Sequence, residues 1–436
     1  MVKEIKRPRK FFSDEEYANR IREVRNRMSQ KGIDACLISS PENVYYLTGL
    51  DHQGYFAFQL LVVTPEGAPV FISRAMEQAT VRDQIPNVRH VGYSDGIAPL
   101  PSPEDQEEDL IFATRDEAGN VKGLRPWEMS AGVSVRGPLA EASQAPVVKT
   151  LDALRELGLE NGRIGVEKSS SFLPMQVAEG IVSGLPNASW FNISGLVDDC
   201  RMVQSPRELE CTRRAAEVSD AMMLSAIATA GPGVPERDVI AAVYAAMFRR
   251  GGTYPGFIPL IRTTRTIEHE HGTWQEGRMR KTDTLFLEMA GCVRRYHAPL
   301  GRLVFIGKAP NRADYMQNVC EEAMFRAAET IRPGITAGEV YRAWQDRVDR
   351  AGLKGYRRHH CGYSVGIGFP PSWSGSGTPQ GLRNDSVLEI KPGMVFHLMS
   401  WLLRTGRGDS FLSDTIVVTD TGCEFLTKVN RGVTIR

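Results

Sequence analysis

With 436 residues, 42% hydrophobic and 24% charged, the chain is too long for one comfortable core, and domains of roughly 100–200 residues predict two. The 53 Lys and Arg against 52 Asp and Glu leave a net charge of +1 without a basic block, which argues against a nucleic-acid partner. No window approaches the ~20 apolar residues of a membrane span, and the basic start Met1 to Lys10 has no apolar stretch behind it, so no membrane partner and a cytoplasmic location are expected.

In chain order, residues 15–31 carry Ile21, Val24 and Met28 at helical spacing, and Gly32 ends the run as a helix C-terminal glycine does. Residues 33–39 form a short apolar run, and 58–64 with 69–73 around Pro65-Glu66-Gly67 predict a hairpin. The first domain is therefore α/β. Residues 100–137 are Pro- and acid-rich with weak periodicity, read as an insertion or lid-like loop, and a helical pattern resumes over 148–157. Then come a strand at Arg163-Ile164-Gly165-Val166-Glu167, a helix over 173–185, and Ser205-Pro206, which suits the N-cap and first position of a long helix. The boundary is placed there, giving domains 1–203 and 204–436.

Beyond it the pattern repeats. A helix ending at Ala230 runs into Gly231-Pro232-Gly233-Val234-Pro235-Glu236, and a second helix ends in Arg332-Pro333-Gly334-Ile335-Thr336-Ala337-Gly338-Glu339. Each is followed by another helix and strands. Such a unit used twice predicts two pseudo-symmetric halves sharing one sheet with a cleft between them. The seven cysteines are scattered and never in a CxxC pair, which disfavours a disulfide framework or a thiolate zinc site and predicts reduced packing residues.

Several segments together carry a family resemblance: Ser40-Pro41-Glu42-Asn43-Val44-Tyr45-Tyr46-Leu47-Thr48-Gly49, Arg163-Ile164-Gly165-Val166-Glu167, Arg201-Met202-Val203-Gln204-Ser205-Pro206-Arg207-Glu208, and Ile390-Lys391-Pro392-Gly393-Met394-Val395-Phe396. In order and spacing the chain resembles the creatinase and aminopeptidase P superfamily. That implies a creatinase-type N-terminal α/β domain followed by a C-terminal pita-bread domain. Metallopeptidases of this superfamily hold two metal ions with two aspartates, a histidine and two glutamates, since hard divalent ions need several carboxylate oxygens. The resemblance puts Glu288, Pro299, Tyr363, Met399 and Ser413 at those five positions, the last with Asp414 as a neighbouring option. No metal and no cofactor are therefore expected.

The runs Leu287-Glu288-Met289-Ala290-Gly291-Cys292, Arg295-Tyr296-His297-Ala298-Pro299-Leu300 and Gly362-Tyr363-Ser364-Val365-Gly366 resemble the ectoine hydrolases, which open a cyclic amidine. The resemblance implies a small-molecule substrate and a homodimer whose partner N-terminal domain lies near the active site. An amidine is cationic at neutral pH and needs a carboxylate to pair with its two N–H groups. Glu288 suits this, as nucleophile or as general base. Six of the eight histidines lie between residues 269 and 397. On resemblance His271 is expected in acid/base work, with His297 next. Tyr363, His397, Trp274, Arg302 and Tyr296 are expected to bind substrate, Trp274 by cation–π contact. Tyr363 has an equal alternative as a volume filler, and Trp274 a packing one. His269, His359 and His360 are expected to be structural or exposed. Arg294, Arg295 and Arg302 are candidate partners for a substrate carboxylate. Gly366-Ile367-Gly368 reads as a backbone feature and not a phosphate loop. Tyr45, His52, Tyr55 and Phe56 could line a pocket across a dimer interface or form a local core.

Overall fold

The computed structural model describes residues 11–94, 111–115, 121–126, 139–375 and 379–436. Residues 1–10 and most of the proposed insertion at 100–137 lie outside that set. The chain divides into two compact units, Met1–Cys200 and Arg201–Arg436, each mixing helices with a sheet.

The first unit opens with the helix Asp14–Lys31. The Ser13 hydroxyl accepts from the Glu16 N–H at 3.1 Å, three acids occupy the first turn, and Gly32 closes the helix at φ 60°. Its strands are β1 (Ala35–Ile38), β2 (Leu60–Val63), β3 (Val70–Arg74), β4 (Arg89–Tyr93), β5 (Ile111–Arg115), β6 (Val121–Pro126), β7 (Arg163–Val166) and β8 (Ser189–Asn192). Six of them form a sheet in the order β4-β3-β2-β1-β7-β8, with β2 and β3 as the expected antiparallel hairpin; β5 and β6 pair separately within the proposed insertion. One helix differs from expectation. The segment placed at 148–157 is the C-terminal part of Leu139–Glu156, with Pro146 inside it. A proline normally marks a helix boundary. Here the helix continues through it, and the Thr150 hydroxyl donates to the Pro146 carbonyl at 2.7 Å.

Buried Glu167, just after β7, accepts from the backbone N–H groups of Ser39 and Ser40, the Ser40 hydroxyl and the Asn43 amide. It thereby satisfies orphan donors at the start of the helix Pro41–Thr48 from a distant strand. Tyr45 and Tyr55 are buried and His52 lies between Glu77 and Gln59, so these three belong to the local core, while Phe56 is 76% exposed.

In the second unit the expected repeat is present. Helices Pro206–Thr229 and Glu236–Arg249 accompany β9 (Leu260–Thr263), β10 (Thr284–Val293) and β11 (Tyr296–Phe305). Helices Ala313–Thr330 and Ala337–Arg350 accompany β12 (Gly362–Ser364), β13 (Val395–Leu402) and β14 (Ser410–Val418). Ser205 and Glu208 form a complete capping box with Pro206 at the first turn. Both halves feed one eight-stranded sheet, whose path β12-β13-β14-β11-β10-β9 is joined at its middle by β11 against β14; β15 (Cys423–Phe425) and β16 (Thr434–Ile435) add to β14 and β11.

Strand alternation gives this sheet two different faces. Leu285, Leu287 and Met289 of β10 pack with Met222, Val239 and Val243 of the first helix pair. Phe396, Leu398, Leu412 and Ile416 pack with Met324, Val340 and Trp344 of the second. The intervening residues, Glu288, His397, Met399 and Ser413 among them, project to the opposite face. All seven cysteines are free thiols, buried or half-buried.

On the helix face, the central strands are tied by a buried ion cluster. Arg302 Nη2 donates to Asp414 Oδ1 at 3.0 Å, Arg431 Nε to Asp414 Oδ2 at 2.7 Å, and Thr427 Oγ1 to Asp414 Oδ1 at 2.7 Å. Arg302 also donates to the carbonyls of Gly301, Ser413, Val429 and Asn430. Its expected role at the substrate is corrected accordingly, because its guanidinium serves the C-terminal chain on the far side of the sheet. Breaking a buried pair leaves an uncompensated charge, so Arg302→Met should cost about 3–5 kcal/mol, and adding Asp414→Leu should recover much of that. Chemical denaturation of both variants checks this; an unchanged midpoint for the single variant would contradict the role assigned to the cluster.

Candidate active site

Register builds the site. Glu288 of β10 pairs with Gly301 of β11, Gly301 with Ser413 of β14, and Ser413 with Met399 of β13. One step along, Ala290 pairs with Pro299, and Thr415 with His397, which pairs with Tyr363 of β12. Steps of two along each strand keep a face. The five positions at which the resembled metallopeptidases carry ligands, Glu288, Pro299, Tyr363, Met399 and Ser413, therefore lie together on the face away from the helices. Gly301 is required in this row, because a methyl group there would collide with the Phe411 ring and the Ser413 hydroxyl. Asp414 takes no part, as alternation turns it to the helix face.

The donor chemistry does not fit a pair of divalent ions. Of the five positions only Glu288 supplies a carboxylate; proline and methionine offer no oxygen, and the Tyr363 hydroxyl is engaged with Trp373 and His397. Among the described residues no group of three or more His, Cys, Asp or Glu could hold a metal ion.

A cavity of about 400 Å³ opens on this face. Glu288, His271 and Tyr363 line it, with Phe257, Trp373 and Trp401 as aromatic walls and Arg358 and Glu270 at its polar side. Glu288 is 5% exposed and accepts no hydrogen bond among the described residues. Burial pushes its carboxyl up to about 7, against the pull of the Arg262 and Arg358 guanidiniums and with a smaller push from Glu270. Arg262 of β9 is fully buried. It lies 3.9 Å over the Phe286 ring and donates to the carbonyls of Ile267 and His269. Arg358 lies over Trp401 at 4.6 Å and pairs with Glu270 at 3.1 Å. His397 is fully buried behind Glu288, its Nε2 3.9 Å from Glu288 Oε1 and its Nδ1 3.1 Å from the Tyr363 hydroxyl. Burial drives its pKa down to about 3, so the ring is neutral at physiological pH and the contact is not an ion pair.

Several expected site residues lie elsewhere. His297 is fully buried, with Nε2 accepting from the Gly256 N–H at 2.7 Å and Nδ1 3.4 Å from the Gly366 carbonyl. Both ring nitrogens are thus committed to backbone, and burial takes its pKa down to about 3, so it is a cross-link and not a catalyst. Tyr296 donates its hydroxyl to Glu208 at 2.7 Å inside the core. Trp274 packs against the first helix–sheet core and does not line the cavity. Arg295 is fully buried, stacked on Tyr254 and Phe369 and bonded to the Tyr254 and Gly368 carbonyls. These contacts hold a β10–β11 turn in which Arg294 and Arg295 both have positive φ, 48° and 67°.

Conversely, His359 and His360, expected to be structural or exposed, line the cavity beside Arg358. Their proximity to Tyr363 in sequence was the available signal. Arg358 and Arg383, and not Arg294, Arg295 or Arg302, are the arginines that line the cavity.

Two family models match the chain: the creatinase/prolidase N-terminal domain over residues 20–203 and metallopeptidase family M24 over residues 210–420. The chain is 27% identical to an ectoine hydrolase from Halomonas elongata over 98% of both chains. It is 25% identical to an Xaa-Pro dipeptidase from Pyrococcus furiosus over 67% of this chain and 81% of that one. Similar solved structures include an Xaa-Pro dipeptidase from Bacillus anthracis, with a TM-score of 0.74 at 19% identity over 96% and 100% of the two chains. A prolidase from Thermococcus sibiricus has a TM-score of 0.77 at 18% identity, over 96% and 99%. At these identities the structures speak to the fold alone.

The raised carboxyl of Glu288 has a signed consequence for stability. The fold favours its protonated form, so its destabilising contribution is absent below about pH 4.5, grows as pH rises, and is complete above about 7. The interval corresponds to at most ~3 kcal/mol. Glu288→Gln should therefore raise the melting temperature at pH 8 and leave it nearly unchanged at pH 4.5. Thermal scans at both values check this, and an equal effect at the two would exclude a raised carboxyl.

Proposed function

The chain belongs to metallopeptidase family M24, joined to a creatinase/prolidase N-terminal domain, and is a hydrolase of that family; within it, we propose that it opens a small cyclic amidine without a metal ion, ectoine being the best candidate. The observation that carries this reading is a buried carboxylate, Glu288, which accepts no hydrogen bond among the described residues, in an aromatic-walled cavity at the place where the metallopeptidases concentrate their ligands. Likeness to the Halomonas elongata ectoine hydrolase along nearly the whole chain supports it.

An amidinium carries positive charge over two nitrogens and the carbon between them. Ionised Glu288 would pair with it, and the aromatic walls would stack on its planar face. Arg358 at the polar side suits a substrate carboxylate, so the preferred ligand is a small zwitterion. Hydrolysis adds water across one ring C–N bond. In the covalent version, which the resemblance favours, a Glu288 oxygen bonds to the amidine carbon as the C=N π pair moves onto nitrogen. Water then replaces the carboxylate on that carbon, and the hydroxyl-bearing carbon becomes a carbonyl as its bond to one ring nitrogen breaks, that nitrogen taking up the proton water gives up. In the general-base version Glu288 takes a proton from water, the hydroxide oxygen bonds to the carbon, and the proton passes to the departing ring nitrogen. His271 lines the same cavity and is the candidate to carry that proton. The product is the N-acetylated diaminobutyrate. The same reading has the protein acting in the cytoplasm as a homodimer, with the family resemblance as the support for the dimer.

Incubation with ectoine, hydroxyectoine and creatine, followed by NMR of the products, should show ring opening of ectoine that survives chelators. Stoichiometric bound metal with chelator-sensitive cleavage of an Xaa-Pro dipeptide would replace this reading with a peptidase. Because Glu288 must be ionised, kcat/KM should rise with pH through about 7 to a plateau. Glu288→Gln should lower kcat roughly 10³-fold or more. Acid quenching followed by peptide mass spectrometry separates the two versions, since a substrate adduct on Glu288 is expected only in the covalent one.

A further inference from the structure

Behind Glu288 stands a chain of hydrogen bonds with a fixed direction. Trp373 has one ring donor and no acceptor, and its Nε1–H donates to the Tyr363 hydroxyl oxygen at 3.0 Å. The Tyr363 hydroxyl in turn lies 3.1 Å from His397 Nδ1. His397 Nε2 is fully buried, has no hydrogen-bond partner, and lies 3.9 Å from Glu288 Oε1.

A neutral imidazole carries one proton, and its two positions have different consequences here. With the proton on Nδ1, the Tyr363 oxygen would accept twice and its own hydrogen would be left over. The bare Nε2 lone pair would then face an ionised carboxylate. With the proton on Nε2, the Tyr363 O–H donates to Nδ1, every group in the chain is used once, and an N–H points at Glu288. The geometry points to the second arrangement: Trp373 and Tyr363 fix the His397 tautomer so that Nε2–H steers the Glu288 carboxylate, making His397 and Tyr363 positioning residues for the reacting group. This rests on reading Glu288 as the reacting carboxylate.

The 3.9 Å separation leaves room for closer approach, so that this N–H is available to the oxygen that does not react. Other charged and titratable groups come from elsewhere in the unit: Arg262 from β9, Glu270 from the segment after it and Arg358 from the segment before β12 act on the carboxylate, His360 acts on His397, and His271, His359 and Arg383 line the same cavity. Among the described residues none of these hydrogen-bonds to Glu288. His397 is therefore the donor best placed to orient it.

The experiment has two arms. In the first, ¹⁵N NMR of histidine-labelled full-length protein is recorded without substrate, with His397→Gln assigning the signal. A neutral Nε2–H ring is expected in the wild type, and a mixture of tautomers in Tyr363→Phe. An Nδ1–H ring in the wild type, or a tautomer unmoved by Tyr363→Phe, would overturn the inference whatever the substrate proves to be. In the second, Tyr363→Phe and His397→Leu should lower kcat on ectoine roughly tenfold or more with little change in KM, as expected for losing one hydrogen bond to a charged group. Both should move the rise of kcat/KM to higher pH, because a donor that favoured the carboxylate has been removed. His397→Gln, which retains a side-chain N–H, should recover part of the loss; an unshifted pH profile in all three variants would refute the positioning role. If ectoine is not turned over by the wild type, the proposed activity fails while the NMR arm still decides the tautomer.

Discussion

A buried carboxylate that accepts no hydrogen bond among the described residues is the constraint around which the second unit is organised. Ionising Glu288 there is opposed by burial and supported through space by Arg262 and Arg358. Arg262 is itself unfavourably buried, its guanidinium pushed below its ordinary value by desolvation and sustained by stacking on Phe286 and by the Ile267 and His269 carbonyls. The arrangement therefore stores destabilisation at the site, which is the usual pattern where an acid must react near neutral pH. The helix-backed face of the same sheet carries the compensating features: two apolar cores, and the Arg302–Asp414–Arg431 cluster binding the C-terminal segment to the central strands.

Much of this architecture was legible in the sequence because its signals are local. Gly32, the Ser205-Pro206 start and the repeated Pro-Gly turns announce element ends through backbone geometry that few other residues satisfy. The helix containing Pro146 was read short because the local rule against proline is overridden by the surrounding structure. At the site, residue type identified candidates, but facing direction decided among them. His297 and His397 look alike in the sequence; only the register shows His397 beside Tyr363 while Gly256 and Gly366 occupy His297. Arg302 and Arg358 are both arginines close in sequence to segments that carry the family resemblance. One faces the helices and the other the cavity, a distinction that depends on strand partners distant in sequence.

The composition of the face itself follows from electrostatics. Two divalent ions compensate a cluster of carboxylates, and each carboxylate left in such a cleft without them would pay desolvation and repel its neighbours. Glu288 alone is already raised to about 7. A second acid at the Met399 or Ser413 position would force the two to share a proton, as close carboxylates do. On the metal-free reading, the neutral residues at Pro299, Tyr363, Met399 and Ser413 are thus coupled to one another and not independent losses. Tyr363 goes further than neutrality, since its hydroxyl both accepts from Trp373 and reaches His397, whose Nε2 lies 3.9 Å from Glu288 Oε1.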